Sequence, residues 1–351
     1  MTTKLRTGLI GYGMAGQVFH APLLTAVPGI ELKAVVERSS ERAKERYPQV
    51  EIVRDAGELL DDADIELVVV ATPNDSHFAL AKQALERGKH VVVDKPMTIT
   101  SDEARELIAL ARERGRVLST FQNRRWDGDF LTIRQVVKDG LLGRLVEYEA
   151  HFDRFRHALK PGAWREKAQP GAGILYDLGA HLIDQAVELF GLPAAVRGDV
   201  RTQREGAGAD DFFELTLDYG TLRATLQAGM LVREPGPHFT LHGTTGSFVK
   251  YGLDPQEAAL KAGLLPGSDG WGVEPPELWG ALNTQLGELH VQGRIETIPG
   301  AYLSYYQNVY EAIVHGAELI VRPEQALQTI RIIEAALESS RRGATVPFTA
   351  E

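Results

Sequence analysis

The sequence predicts an α/β protein of two domains: an N-terminal doubly wound parallel sheet, then a C-terminal α/β domain built on an open, mainly antiparallel sheet. Three observations predict it. Over residues 1–122, short runs rich in Val, Ile and Leu alternate with helical patterns, which is the rhythm of βαβ units. A glycine-rich turn, GLIGYGMAG, stands between the first such run and the helix after it. Beyond residue 122 strands follow one another without long helices between them, as in an antiparallel sheet.

The elements follow in order. LRTGLIG (5–11), ELKAVVE (31–37), ELVVVATP (66–73), KHVVVDKP (89–96) and RVLSTF (116–121) are near-continuously apolar, as strands buried on both faces of a parallel sheet are. One helix opens at Asp55 with Glu58 three residues on. Another opens at Thr100 with Glu103 and closes at Gly115; the Thr-x-x-Glu spacing is a capping box. A helix-like DFLTIRQVVKDG leads into the strand LVEYEAHFDRF (145–155) and then into PGAGILYDLGAHLIDQAVELFG (170–191). AVRGDVRTQR, DDFFELTLDYG, TLRATLQAGMLV and HFTLHGTTGSFVKYG read as strands, with turn signals such as Tyr219-Gly220. Residues 254–300 are rich in Gly and Pro, lack a period, and receive no element. SYYQNVYEAIVHGAEL and PEQALQTIRIIEAALESSRRG read as closing helices, the last expected to pack back on the first domain. The division is 1–122 for dinucleotide binding and 123–351 for substrate and oligomerisation.

Composition narrows the functional classes. The chain has 351 residues, 44% of them hydrophobic and 25% charged, with a formal net charge of −10. Two domains suit that length. The acidic balance argues against a nucleic-acid partner. The absence of Cys excludes thiol nucleophiles and Cys-ligated zinc and suits a reducing compartment. No apolar run approaches the roughly 20 residues that span a bilayer, and the N-terminal segment has no long apolar core of a signal peptide. The expectation is a cytoplasmic protein without a membrane partner.

Gly11, Gly13 and Gly16 form a G-x-G-x-x-G directly after a strand and at a helix start. That context is the Rossmann dinucleotide-binding fingerprint: Gly11 for the tight turn, Gly13 for close approach of the pyrophosphate, Gly16 for helix–strand packing. Met14 and Ala15 lie between them at the helix N-terminus. Glu37, about 20 residues on, would accept hydrogen bonds from an unmodified adenine ribose and so favours NAD. Arg38-Ser39-Ser40 could instead hold a 2′-phosphate, so the cofactor is NAD(P). Thr72, Pro73 and Asn74 end a strand at the carboxyl edge, where such sheets bind ligands; Asn74 and His77 could line the nicotinamide pocket, or His77 could serve only as a helix-start residue.

Asp94-Lys95-Pro96 closes the next strand at the same edge. Partial burial or a nearby cation would lower the lysine's pKa so that it could assist proton transfer; the alternative is a structural pair with Asp94. Asp177 and His181 stand four residues apart in an apolar run, which on a helix puts both on one face, one turn apart. They could be reactive groups or a buried pair that only holds the helix.

GYGMAGQVFHAPLL, the DKP motif, FQNRRWDGDF and GILYDLGAHLIDQ together resemble the glucose–fructose oxidoreductase/inositol dehydrogenase/rhizopine-catabolism (Gfo/Idh/MocA) family, over essentially the whole chain. The last two motifs resemble its NADP-linked scyllo-inositol dehydrogenase subgroup. The resemblance places the family's E-K-P lysine on Lys95 and its D-x-x-x-H pair on Asp177 and His181. The chain departs at Asp94, where the family usually has Glu, and at Glu37, where NADP-linked members tend to have a small residue. On this reading His181 is the general acid/base. Asp177 bonds a substrate hydroxyl or orients the imidazole, and Lys95 polarises the reacting oxygen. Gly171 and Gly173 would let the helix start approach the nicotinamide.

Asn123, Arg124, Arg125, Trp126, Trp164, Arg165 and Tyr176 are polar or aromatic candidates around a polyol. Arg124, Trp126, Trp164, Arg165 and Tyr176 are assigned to substrate, and Asn123 and Lys95 to the cofactor as well; Tyr305 and Tyr306 are expected to pack. No HxH or HExxH spacing is present, so no metal is expected. The expected reaction is hydride transfer between NAD(P) and a secondary hydroxyl of a cyclic polyol or sugar. Alternatives are a keto- or anhydro-sugar reductase, a glycoside ring-hydroxyl oxidase, or a non-catalytic dinucleotide-sensing regulator. An open sheet must cover its apolar face and its edges, and family members pair through theirs, which implies a homodimer or homotetramer.

Overall fold

The structure, a computed structural model, describes residues 4–160 and 162–349; Met1–Thr3 at the head of the N-terminal segment lie outside it. The chain forms two compact units that interleave along the sequence. The first contains residues 1–126, 256–271 and 301–327, the second 127–255, 272–300 and 328–351. The separation is therefore not the single boundary at 122/123. The physical reason is that the first unit completes its core with later segments: Tyr305 and Tyr306, both buried, pack on Phe121, and the Tyr305 hydroxyl donates to Ser119 Oγ at 2.9 Å.

In the first unit, β1 (Leu5–Ile10), β2 (Ile30–Val36), β3 (Glu51–Val53), β4 (Leu67–Val70), β5 (His90–Val93) and β6 (Leu118–Thr120) form a six-stranded sheet in the order β3-β2-β1-β4-β5-β6, with every pair parallel. This is the doubly wound order whose reversal of direction opens a ligand crevice at the carboxyl ends of the strands. β4 and β5 are Val-rich and buried on both faces, Val68, Val70, Val91 and Val93 sharing one core with Ala84, Leu107 and Ile108 of the covering helices. The helix starts behave as read. Asp55 accepts from Glu58 N ahead of Ala56–Asp61, and Thr100 with Glu103 forms the complete capping box of Ser101–Arg114, which Gly115 ends in a left-handed conformation. The three-residue β3 escaped the sequence reading because EIV is too short to show a period.

In the second unit, β7 (Leu145–His151), β8 (Ala195–Arg201), β9 (Phe212–Asp218), β10 (Arg223–Gly229), β11 (Phe239–Gly243), β12 (Gly246–Lys250), β13 (Gly280–Leu286), β14 (Leu289–Ile295) and β15 (Val346–Pro347) form a sheet in the order β14-β13-β12-β11-β7-β10-β9-β8-β15. Only β7 and β10 pair in parallel. The hairpin β13–β14 and the helix Gln256–Lys261 lie in the stretch left without elements. Its proline-rich flanks obscured the alternation ALNTQL and the Gly287 turn. The apolar face of this sheet, with Tyr148, Ala150, Leu215, Leu226 and Leu241, is buried. Helix Ala180–Phe190 packs there, and Phe190 meets Tyr148 edge-on at 5.2 Å. The other face carries Glu147, Glu149, Thr225, Gln227, Thr240 and Ser247, all half-buried. The open face is polar, not apolar, because strict alternation sends the apolar side chains to the helix side.

The last helix, Pro323–Arg342, divides its packing. Ala326 and Leu327 join the first unit's core. Further along, Ser339 Oγ accepts from Gly198 N in the second unit at 2.9 Å. A Cβ on Gly198 would come 2.5 Å from Ala336 O, so the glycine lets helix and strand β8 touch backbone to backbone.

Candidate active site

The first unit builds a cleft at the carboxyl end of its sheet. After β1 the chain turns at Gly11, whose φ is +101°; a Cβ there would lie 2.6 Å from Ala71 O. At Gly16 a Cβ would lie 2.1 Å from the oxygen of Gly11, so both positions demand glycine. Gly13 is different: nothing lies within 4 Å of its missing Cβ. That open backbone, followed by the helix start at Met14 with Gln17 N donating to Gly13 O at 2.9 Å, fits a pyrophosphate cradle. The cleft has a volume of 670 Å³ and is lined by the expected Gly11, Gly13, Glu37, Arg38, Thr72 and Pro73. Ser39 and Ser40 of the expected Arg38-Ser39-Ser40 run line it too, and so do Tyr12, Arg42, Arg54 and Ser76, which were not singled out from sequence. Arg42 and Arg54 are held by backbone oxygens: Arg42 donates to Tyr12 O at 3.0 Å, Arg54 to Glu37 O at 3.1 Å and Ser40 O at 2.8 Å. Nothing in an isolated Arg predicts such long-range bonds.

Glu37 does not stand as a free ribose acceptor. One carboxylate oxygen accepts from Ala43 N at 2.7 Å, the other from Arg42 N at 3.2 Å and from the Ser40 hydroxyl. The side chain is 2% exposed. Glu37 thus caps the N-terminus of the helix Arg42–Arg46, supplying an acceptor to amides that have no partner inside the helix. Glu37 is thus already engaged by its own helix, while Arg38 and Ser39 remain exposed at the cleft.

At the end of β5, Lys95 is half-buried and its backbone N–H donates to Asp94 Oδ1 at 2.8 Å. Burial works to raise the Asp94 pKa, but His20, Lys95 and His77 outweigh it and hold the carboxyl below its ordinary value. His20, fully buried, sits with Nε2 3.7 Å from Asp94 Oδ2 and Nδ1 2.6 Å from the Tyr306 hydroxyl. His77 is not among the residues that line the cleft. It is fully buried, with Nδ1 2.8 Å from Pro96 O and Nε2 2.9 Å from Thr72 O. Burial lowers its pKa, so the imidazole is neutral. Asn74 and Asn123 are buried at strand ends, and Met14 is half exposed beside Gly13.

The turn after β6 carries Asn123, Arg124, Arg125 and Trp126, all buried. Arg124 is bonded to Glu257 at 2.6 Å. Burial works to raise the Glu257 pKa, but Arg124 and Lys261 pull it to about 2. Arg125 donates to Gln325 Oε1 at 3.2 Å, and the Trp126 ring meets Tyr305 edge-on at 5.8 Å. The late helix Leu303–His315 brings that tyrosine against the Trp126 ring, which is buried in the same core.

In the second unit the segment around Asp177 and His181 is not one regular helix. Asp177 lies in a π-helical turn, Leu175–Gly179, and His181 in the α-helix Ala180–Phe190 that continues it. The one-turn spacing therefore crosses a junction, and π turns of this sort recur at functional sites. Gly173 has φ +87°, and a Cβ there would lie 1.9 Å from Asp210 Oδ1. Asp210, not singled out from sequence, accepts from Leu175 N at 2.8 Å; burial pushes its pKa up to about 6. The structure brings together three expected substrate residues: Arg165 Nε is 3.3 Å from Asp177 Oδ1, and its guanidinium lies 4.5 Å over the Trp164 ring. Tyr176 and His181 are buried.

No cluster of His, Asp or Glu able to hold a metal, and no helix long and apolar enough to cross a membrane, occurs among the described residues. Two family models match the chain: "Oxidoreductase family, NAD-binding Rossmann fold" over residues 5–122 and "Oxidoreductase family, C-terminal alpha/beta domain" over residues 134–348. The chain is 45% identical to the uncharacterized oxidoreductase YdgJ of Escherichia coli, covering 99% of each chain. It is 43% identical to the scyllo-inositol 2-dehydrogenase (NADP(+)) IolW of Bacillus subtilis, covering 97% of this chain and 95% of the relative. The solved structure of the oxidoreductase yvaA of Bacillus subtilis superposes with a TM-score of 0.96 at 42% identity, covering 99% of each chain.

Proposed function

The chain belongs to the Gfo/Idh/MocA oxidoreductase family, and from that premise we propose that it transfers a hydride between NADP and a secondary hydroxyl of a cyclic polyol, with scyllo-inositol the first candidate. The observation that carries the reading is local to the first unit: the dinucleotide cleft and the Asp94-Lys95-Pro96 turn occupy the carboxyl ends of neighbouring strands of one sheet. A bound dinucleotide supplies the hydride acceptor or donor. Lys95 polarises the reacting oxygen and stabilises charge that develops on it. His181 takes or returns the hydroxyl proton, the exchange to which an imidazole is matched near neutrality. Asp177, held by Arg165, positions a substrate hydroxyl, and Trp164 offers a flat apolar surface to a ring's C–H face.

The choice of NADP rests on Glu37, whose carboxylate is committed to the helix Arg42–Arg46, and on Arg38, Arg42 and Arg54 at the cleft, which suit a 2′-phosphate. The identity with a relative named as NADP-linked and acting on scyllo-inositol supports cofactor and substrate alike. The test is nicotinamide absorbance with purified protein, NAD or NADP in turn, and a panel of scyllo-inositol, myo-inositol, glucose and other sugars. Turnover of scyllo-inositol with NADP is expected. Turnover confined to a sugar or its keto form would replace the substrate. Dinucleotide binding without turnover of any compound would favour a sensing role.

A further inference from the structure

We propose that His77 is a positioning residue that couples the dinucleotide cleft to the lysine-bearing turn; the inference rests on the oxidoreductase reading above. Three observations meet at this ring. Its Nε2 faces the carbonyl of Thr72, a residue that lines the cleft and is followed there by Pro73. Its Nδ1 faces the carbonyl of Pro96, the residue directly after Lys95. The ring has no exposed surface, so it touches neither cofactor nor substrate and acts only through these two loops.

The chemistry of the ring makes it a coupler rather than a filler. A neutral imidazole carries one N–H and one lone pair, yet both nitrogens here face carbonyl oxygens. The two loops therefore share a single donor, whose place depends on the tautomer. Whatever orders the carbonyl of Thr72 alters the hold on Pro96, and β4 and β5, the strands that end at these loops, are neighbours in the sheet. His20, also close to the Asp94-Lys95-Pro96 turn, reaches Asp94 and Tyr306, neither of which lines the cleft.

The two contacts can be removed one at a time. A glutamine amide reaches where Nε2 stands and an asparagine amide where Nδ1 stands, so His77→Gln keeps the Thr72 bond and His77→Asn keeps the Pro96 bond. The measurements are NADPH affinity by fluorescence titration and amide hydrogen exchange of residues 94–98 with and without NADPH. In the wild type NADPH should slow that exchange. Both variants should lose the slowing, because each breaks one of the two bonds the coupling needs, while His77→Gln should bind NADPH within about twofold of wild type and His77→Asn about fivefold more weakly, the size of one neutral hydrogen bond. Equal behaviour of all three proteins, or no effect of NADPH on exchange in the wild type, would overturn the coupling alone. Failure of the wild type to bind NADPH or NADH would overturn the oxidoreductase reading beneath it.

Discussion

Lys95 and His181 are the residues on which the chemistry should turn. Lys95→Ala is expected to lower turnover by about 10² or more while leaving dinucleotide affinity nearly unchanged; steady-state rates set against fluorescence titration check both halves. His181→Ala should lower turnover similarly and remove the limb of the pH–rate profile near neutrality, and a retained limb would assign that proton to another group. For cofactor choice, Arg38→Ala should reduce the preference for NADP over NAD by about tenfold, the value of one charge-assisted bond. Glu37→Ser should leave the NADP/NAD ratio little changed and cost about 1 kcal/mol of stability through the lost cap, read as a fall in Tm. Residue types of this kind are legible in a sequence because G-x-G-x-x-G and D-K-P declare a backbone need or a reactive group. The partner of a side chain is not: Glu37 reads as a ribose acceptor until the helix Arg42–Arg46 is seen to end on it, and His77 reads as pocket lining until its two carbonyls appear.

At the level of elements, the segment from Gly173 to His181 depends on a residue far along the chain. Asp210 occupies the space that a side chain at 173 would need and accepts the Leu175 amide. Gly173→Ala is therefore expected to displace the π turn and lower both Tm and turnover, whereas an alanine at the exposed Gly115 cap should leave turnover unchanged and affect stability only. Asp210 also gives a pH dependence. Its folded-state pKa is raised to about 6, above the ordinary carboxyl value, so the protonated form is the one the fold favours. Its contribution to stability is fully present below about pH 4 and is lost as pH rises through 6. Asp210→Asn keeps an acceptor for Leu175 N and should flatten that part of the Tm-against-pH curve. Caps, strands and most helices were legible because each is written in consecutive residues. The π turn and the hairpin β13–β14 were not, since the first is decided by Gly173 against Asp210 and the second is masked by flanking Pro and Gly.

For the whole molecule, the nine-stranded sheet has its apolar face already covered by helix within its own unit, and its polar face presents Glu147, Glu149, Thr225 and Thr240. We propose that a homodimer or homotetramer forms through that polar face, by hydrogen bonds and ion pairs rather than a large apolar patch, as wet interfaces do. Sedimentation should find a dimer or tetramer, and Glu149→Arg with Thr225→Arg should shift it toward monomer; an unshifted oligomer would place the interface elsewhere. The sequence by itself determined the two kinds of sheet, the dinucleotide turn, the helix caps and the family, because hydrophobic period, glycine placement and cap chemistry act over a few residues. Tertiary structure decided that the units interleave, that Trp126 and the late tyrosines share one core, that Glu37 caps a helix and that His77 bridges two loops. Each of these is a contact between residues distant in the chain, and such contacts exist only once the folded core has brought them within reach.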